Sequence, residues 1–127
     1  MSELADFVRS GAAKMTPQIA HGVYKKLPML KIGFAQIDAP KFPHLVTQLQ
    51  FLANLIEDFL DGKAEEVPYV TFACACYAII YAKRQWDLIP DSVPEVGMAD
   101  DSAVVRVVLI ENERVLAKYA EKTGVNW

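Results

Sequence analysis

The sequence predicts an all-α fold: a single compact domain over residues 1–127, built from four or five helices. Three observations support this prediction. Apolar residues recur at the three- and four-residue spacing of helices in most segments. Most prolines and glycines fall between these segments, where they would end helices. The length suits one domain, and an apolar share of 53% is sufficient for a core.

The first helix is expected near the N-terminus and should end at about Lys14. Thr16 then suits the N-cap, and Pro17 the first position, of a second helix, which Pro28 breaks or kinks. Residues 29–37 fit a strand or a loose helical turn, and we predict the turn because no partner strand is evident. The apolar positions that define these helices are Leu4, Phe7, Val8, Gly11 and Met15 in the first and Ile19, Val23 and Leu27 in the second.

The middle of the chain holds two contrasting segments. Residues 44–61 have a broad apolar face opposite a polar one, and Gly62 is a natural helix stop. Residues 67–82 are almost free of charge, which indicates a helix buried on all sides. Such a helix would extend about 24 Å, short of the roughly 30 Å hydrocarbon core of a bilayer. The alternative is that this apolar helix contacts a membrane surface, as in a peripheral membrane protein.

The last helix is predicted from a cap at Asp100 or Asp101 to about Lys122. Its charges occupy one half of the helical surface, but Val107 and Ile110 lie among them. These two residues are small evidence for a partner surface, as are three aromatic residues elsewhere in the chain: Phe51, Trp86 and Trp127.

Asn112 lies near the middle of the apolar half of this helix. A buried amide must find hydrogen-bond partners or destabilise the fold by about 1–3 kcal/mol. We expect its partners to be backbone carbonyls of the segment that precedes the helix. Two other roles are an oligomer interface and a contact with a ligand.

Residues 86–101 should form a rigid, partly buried connector between the last two helices, because two prolines and a glycine interrupt a helix there. Four aspartates lie in this connector: Asp87, Asp91, Asp100 and Asp101. Their simplest role is to accept backbone N–H groups at turns and at a helix start. The alternative is a carboxylate metal site or an acid–base site, although the spacing does not match a calcium-binding loop.

The connector reads Asp87-Leu88-Ile89-Pro90-Asp91, followed by Pro94, Gly97, Asp100-Asp101 and Val104. It resembles the signature of the YkvA-like family, also called domain of unknown function 1232, over about residues 69–109. The resemblance implies a small helical domain without an established activity. The structural motif predicted from these residues and the buried amide comprises Asp87, Pro90, Asp91, Pro94, Gly97, Asp100, Asp101 and Asn112.

The remaining sequence offers little to an enzyme. No phosphate loop, nucleophile elbow or zinc motif is present, and we predict no catalytic residue, metal or cofactor. Cys74 and Cys76 lie in an apolar helix, where we expect inert thiols. A net charge of −3 without a basic stripe disfavours nucleic acid. We therefore expect a cytoplasmic module that binds a protein partner or a second copy of itself.

Overall fold

The computed structural model describes the backbone of residues 2–35, 44–88 and 94–124, and the side chains of residues 5–35, 44–82 and 103–124. All regular structure in these parts is helical, which confirms the predicted all-α class. The described parts contain six helices rather than four or five. They are α1 (Ser2–Ala13), α2 (Pro17–Ala35), α3 (Leu45–Leu60), α4 (Tyr69–Leu88), α5 (Pro94–Glu111) and α6 (Glu113–Thr123).

Helix α4 is the centre of the fold and packs against α1, α2, α3 and α5. Among its described side chains, those of residues 69–82, nine are buried: Thr71, Phe72, Ala73, Cys74, Ala75, Cys76, Ala78, Ile79 and Ala82. Most of them are small, so neighbouring helices can approach α4 closely from several sides. The near absence of charge in this segment therefore reflects burial within the protein.

Helix α2 begins as predicted, because the Thr16 hydroxyl oxygen accepts a hydrogen bond from the Ile19 amide at 3.2 Å. It does not end at Pro28 but continues to Ala35. Proline lacks an amide hydrogen, yet a continuous apolar face packs on both sides of it and maintains the helix. That face consists of Ala20, Val23, Leu27, Leu30 and Phe34. Ile19 lies outside it and is 46% exposed.

Helix α3 follows the amphipathic pattern closely and ends at the predicted glycine. Gly62 has a φ of +79°, a conformation that glycine adopts without steric cost. Its amide donates to Phe59 O at 3.3 Å, and the Lys63 amide donates to Asp58 O at 2.7 Å. These two bonds form a Schellman motif and satisfy carbonyls at the end of the helix.

The predicted start of the last helix is wrong, because α5 begins at Pro94. Asp100 and Asp101 are thus the seventh and eighth residues of α5 and not its cap. Proline suits the first position of a helix, so Pro94 begins α5, and Gly97 is accommodated in the helix interior.

The predicted connector is also shorter than expected, since residues 86–88 continue α4 and residues 94–101 belong to α5. The rest of the connector, residues 89–93, lies outside the described residues. The predicted last helix is instead divided at Asn112, whose φ of −117° and ψ of 22° depart from helical geometry. This break accounts for one helix of the higher count.

Candidate functional site

The structure assigns several of the predicted motif residues to helices. Asp87 lies in the last turn of α4, and Pro94, Gly97 and the two adjacent aspartates belong to the first half of α5. Their side chains, and all of Pro90 and Asp91, lie outside the described residues. The helix-start role predicted for Asp100 and Asp101 is wrong, because α5 begins at Pro94. The turn-capping role of Asp87 and Asp91 and the alternative of a metal site remain predictions.

Asn112 is the motif residue whose surroundings the structure does describe. Its side-chain nitrogen donates to Val108 O at 2.9 Å, and its side-chain oxygen accepts the Thr71 hydroxyl at 2.9 Å. The sequence predicts carbonyls of the connector as partners. The Thr71 bond instead joins the break between α5 and α6 to the start of α4, and the Val108 bond stays within α5. Thr71 is 1% exposed, so this side-chain bond satisfies a hydroxyl in the core.

The two cysteines lie beside this junction and are buried, with free thiols. Burial raises the pKa of the Cys76 thiol to about 12. Burial also raises the pKa of Cys74, although a hydrogen bond with Asn112 opposes the rise. A thiol with a raised pKa is a poor nucleophile near neutral pH, so neither cysteine is suited to catalysis.

A cavity of about 230 Å³ lies between α2, α3 and α6. The Tyr119 hydroxyl donates to Asp58 Oδ2 at 2.6 Å in its wall, and Lys31 forms an ion pair with Glu57. Both acidic groups therefore already have partners within the protein. The cavity is also smaller than the roughly 300–1,000 Å³ of typical small-molecule sites. Its lining residues are Lys31, Phe51, Asn54, Glu57, Asp58, Tyr119 and Thr123.

The most distinctive surface lies where α1 packs on α4. The Phe7 ring meets Tyr77 with a centroid distance of 5.9 Å and an interplanar angle of 70°. It meets Tyr81 at 6.2 Å and 86°, and the two tyrosine rings are 6.2 Å apart. Phe7 is 49% exposed, and both tyrosines are half-buried. We call Phe7, Tyr77 and Tyr81 the aromatic patch.

Gly11 lets the helices approach closely at the aromatic patch. A Cβ atom added there would overlap the ring of Tyr77. Any larger residue at this position would displace Tyr77 or separate α1 from α4. The sequence placed Phe7 and Gly11 on the inner face of α1, and the structure assigns them to the edge of that face.

The structure excludes two of the residues that the sequence suggested for a partner surface. Val107 is 4% exposed, and Phe51 is 6% exposed with its ring 5.5 Å from that of Tyr119. Neither is available to a partner, so that part of the expectation was wrong. Ile110 is 54% exposed, as expected, while Trp86 and Trp127 lie outside the described side chains.

The outer face of α2 is also exposed and has a different character. Met29 and Ile32 are each 64% exposed, and Lys25 and Lys26 are exposed beside them. His21 lies on the same helix, stacked on Tyr24 at 6.2 Å. The face therefore combines apolar and basic residues.

The sequence left open a helix that contacts a membrane surface and a carboxylate metal site, and the structure bears on both. In the part of the chain that the structure describes, no helix combines the length and apolar character needed to cross a bilayer. Most residues of the segment proposed to touch lipid, residues 67–82, are buried, and Pro68, Tyr69 and Val70 are its exposed residues. Among the described residues, no three His, Cys, Asp or Glu side chains are grouped so that they could hold a metal ion.

Comparison with known proteins gives one family. Residues 71–106 match the family described as "Protein of unknown function (DUF1232)". Searches of curated proteins and of solved structures gave no match. The matched segment contains the core of α4, both tyrosines of the aromatic patch and the Asp-Leu-Ile-Pro-Asp motif. The family resemblance seen in the sequence is confirmed for residues 71–106, the segment that matches the DUF1232 family model.

Proposed function

We propose that this protein is a non-enzymatic helical module that binds another protein through the aromatic patch. The observation that supports this proposal is the half-exposed Phe7 ring, which contacts two half-buried tyrosines edge-on. Phenylalanine and tyrosine are enriched in protein interfaces because they contribute a large apolar area at a low cost in conformational entropy. A half-exposed phenylalanine gains further burial when a partner covers it.

The aromatic patch has the construction expected of an interface centre. Phe7 supplies an exposed apolar surface, and the rings of Tyr77 and Tyr81 lie edge-on beside it. Tyr77 is held against Gly11 on a buried helix, so the patch is ordered before a partner arrives. A pre-ordered surface loses less conformational entropy on binding than a flexible one.

The partner is either a different protein or a second copy of this chain, and one experiment separates the two. The photoreactive residue p-benzoylphenylalanine would replace Phe7 in the full-length chain, with Ile110 as the matched exposed control position. Cross-linking in the native cell should give a discrete adduct from position 7 and none from position 110. An adduct of twice the chain mass, together with a dimer in analytical ultracentrifugation, would identify self-association.

The proposal fails if position 7 gives no adduct, or gives the same diffuse products as position 110. Catalysis is tested separately, because a binding module should not turn over any compound that it retains. Incubation with native-cell extract followed by mass spectrometry should show no compound consumed in proportion to the amount of protein.

A further inference from the structure

The outer face of α2 is a second exposed surface, which combines apolar and basic residues and does not include the aromatic patch. Lys25, Met29 and Ile32 are spaced four and three residues apart and therefore share one side of the helix. Lys26 lies three residues before Met29, at the margin of that side. Met29 and Ile32 are the large apolar side chains of α2 most exposed to solvent, each at 64%. We call these four residues the α2 ridge.

The charge on α2 differs from that of the chain as a whole. The helix carries three lysines and a histidine but no aspartate or glutamate, whereas the chain has a net charge of −3. Lys31 is paired with Glu57 of α3. Lys25 and Lys26 are both exposed, and no acidic side chain among the described residues forms an ion pair with either.

From these observations we propose that the α2 ridge docks the protein on an anionic lipid bilayer surface. A basic amphipathic helix lies in the plane of the lipid interface, with its apolar side chains below the headgroups and its lysines at their level. Met29 and Ile32 would enter the interface, and Lys25 and Lys26 would contact anionic headgroups. The inner face of α2 stays packed on α3, so docking requires no rearrangement of the core.

The shape of the ridge favours lipid over a protein partner. Two apolar and two basic side chains on one convex helix provide much less than the roughly 800 Å² per partner of a standard protein interface. A fluid lipid surface needs no complementary groove and adapts to a single helix. Carboxylates near α2 face its flanks, where Asp61 accepts the Tyr24 hydroxyl at 2.8 Å and Glu57 pairs with Lys31.

The test is sedimentation of the full-length protein with vesicles. Phosphatidylcholine vesicles containing about 30 mol% phosphatidylserine should bind it, and pure phosphatidylcholine vesicles should bind at least about tenfold less. Binding should weaken strongly between about 50 and 500 mM salt, because salt screens the lysine charges. The proposal is overturned if the wild-type protein does not bind anionic vesicles at low salt, or binds both compositions equally.

Substitutions in the α2 ridge test whether these residues make the contact with the vesicle. Lys25→Gln with Lys26→Gln, and separately Met29→Ser with Ile32→Ser, should each lower the partition coefficient at least about tenfold. A matched control, Lys118→Gln with Ile110→Ser, changes an exposed lysine and an exposed apolar residue elsewhere and should bind as the wild type does. Equal binding by all three double variants would overturn the assignment to α2. Thermal melts that coincide with that of the wild type would show that all variants are folded. None of the variants changes the aromatic patch, so the vesicle-binding result does not depend on the proposed protein contact.

Discussion

The Thr71 hydroxyl donates to the Asn112 side-chain oxygen at 2.9 Å and so connects the start of α4 to the break between α5 and α6. The nitrogen of the same amide donates to Val108 O within α5. One side chain therefore satisfies a buried hydroxyl and a carbonyl next to the break. Because the groups are forty-one positions apart, this bond is part of the tertiary structure and not of a local turn.

The first prediction concerns this bond. Asn112→Leu should lower the free energy of unfolding by about 1–3 kcal/mol, because the Thr71 hydroxyl would be left buried without its partner. The double variant Thr71→Val, Asn112→Leu should recover much of the loss, since both polar groups are then removed. Urea unfolding of the two single variants and the double variant measures the coupling. Purely additive losses would show that the two side chains do not act as a pair.

The second prediction concerns the close approach of Gly11 to Tyr77. Gly11→Ala should be about 1–2 kcal/mol less stable than Gly22→Ala, although alanine favours a helix equally at both positions. The added methyl group at Gly11 overlaps the Tyr77 ring, whereas nothing lies within 4 Å of a methyl group at Gly22. Thermal melts of the two matched variants make the comparison. Equal stabilities would mean that Tyr77 moves aside freely and that the aromatic patch is not held in place.

The third prediction concerns pH. Burial, and next the hydrogen bond to Asp58, raise the pKa of Tyr119 above its usual value. The unfolded chain therefore loses this proton first as the pH rises, so stability should fall above about pH 10. Tyr119→Phe should remove this part of the alkaline loss, as measured by urea unfolding between neutral and alkaline pH.

Tyr24→Phe is the matched control for that measurement. A hydrogen bond to Asp61 raises the pKa of Tyr24, but this bond lies at the exposed surface, where solvent screens the interaction. Its removal should leave the alkaline slope close to that of the wild type. The explanation would be contradicted if Tyr119→Phe retained the full slope.

The fourth prediction concerns the thiols. Burial holds the pKa of Cys76 at about 12 and also raises that of Cys74, so both should react slowly with a thiol reagent at pH 8. Addition of urea should expose both and give two equivalents of rapid reaction. Rapid labelling of either cysteine in the folded protein would contradict this prediction and would indicate a reactive thiol that could serve in catalysis.

The helices that could be predicted from the sequence are those whose boundaries depend on neighbouring residues. Gly62 ends α3 through a local left-handed turn, and Thr16 caps α2 through a bond three residues away. Pro28 misled the prediction because the helix is maintained by distant packing of its apolar face. Asn112 correctly indicated a polar group in an apolar setting, but its partner Thr71 is far away in sequence.

The candidate surfaces were harder to predict, because exposure depends on which helices become neighbours. Val107 lies among charges on its own helix but is buried in the hydrophobic core. Phe7 lies on an apolar face of α1, yet half of it remains exposed at the edge of α4. A single helical pattern contains no information about these neighbours. The aromatic patch appears only when α1 and α4 are placed side by side.

The proposed binding of a protein by the aromatic patch is tested most directly by co-purification. The partner identified by cross-linking is captured with the wild type, with Phe7→Gln and with Ile110→Gln, and the captured amounts are compared. We expect Phe7→Gln to weaken capture of that partner at least about tenfold, since truncating a hot-spot residue at the centre of an interface costs about 2 kcal/mol or more. The matched Ile110→Gln variant should capture it as the wild type does. Equal capture by the wild type, Phe7→Gln and Ile110→Gln would contradict the claim.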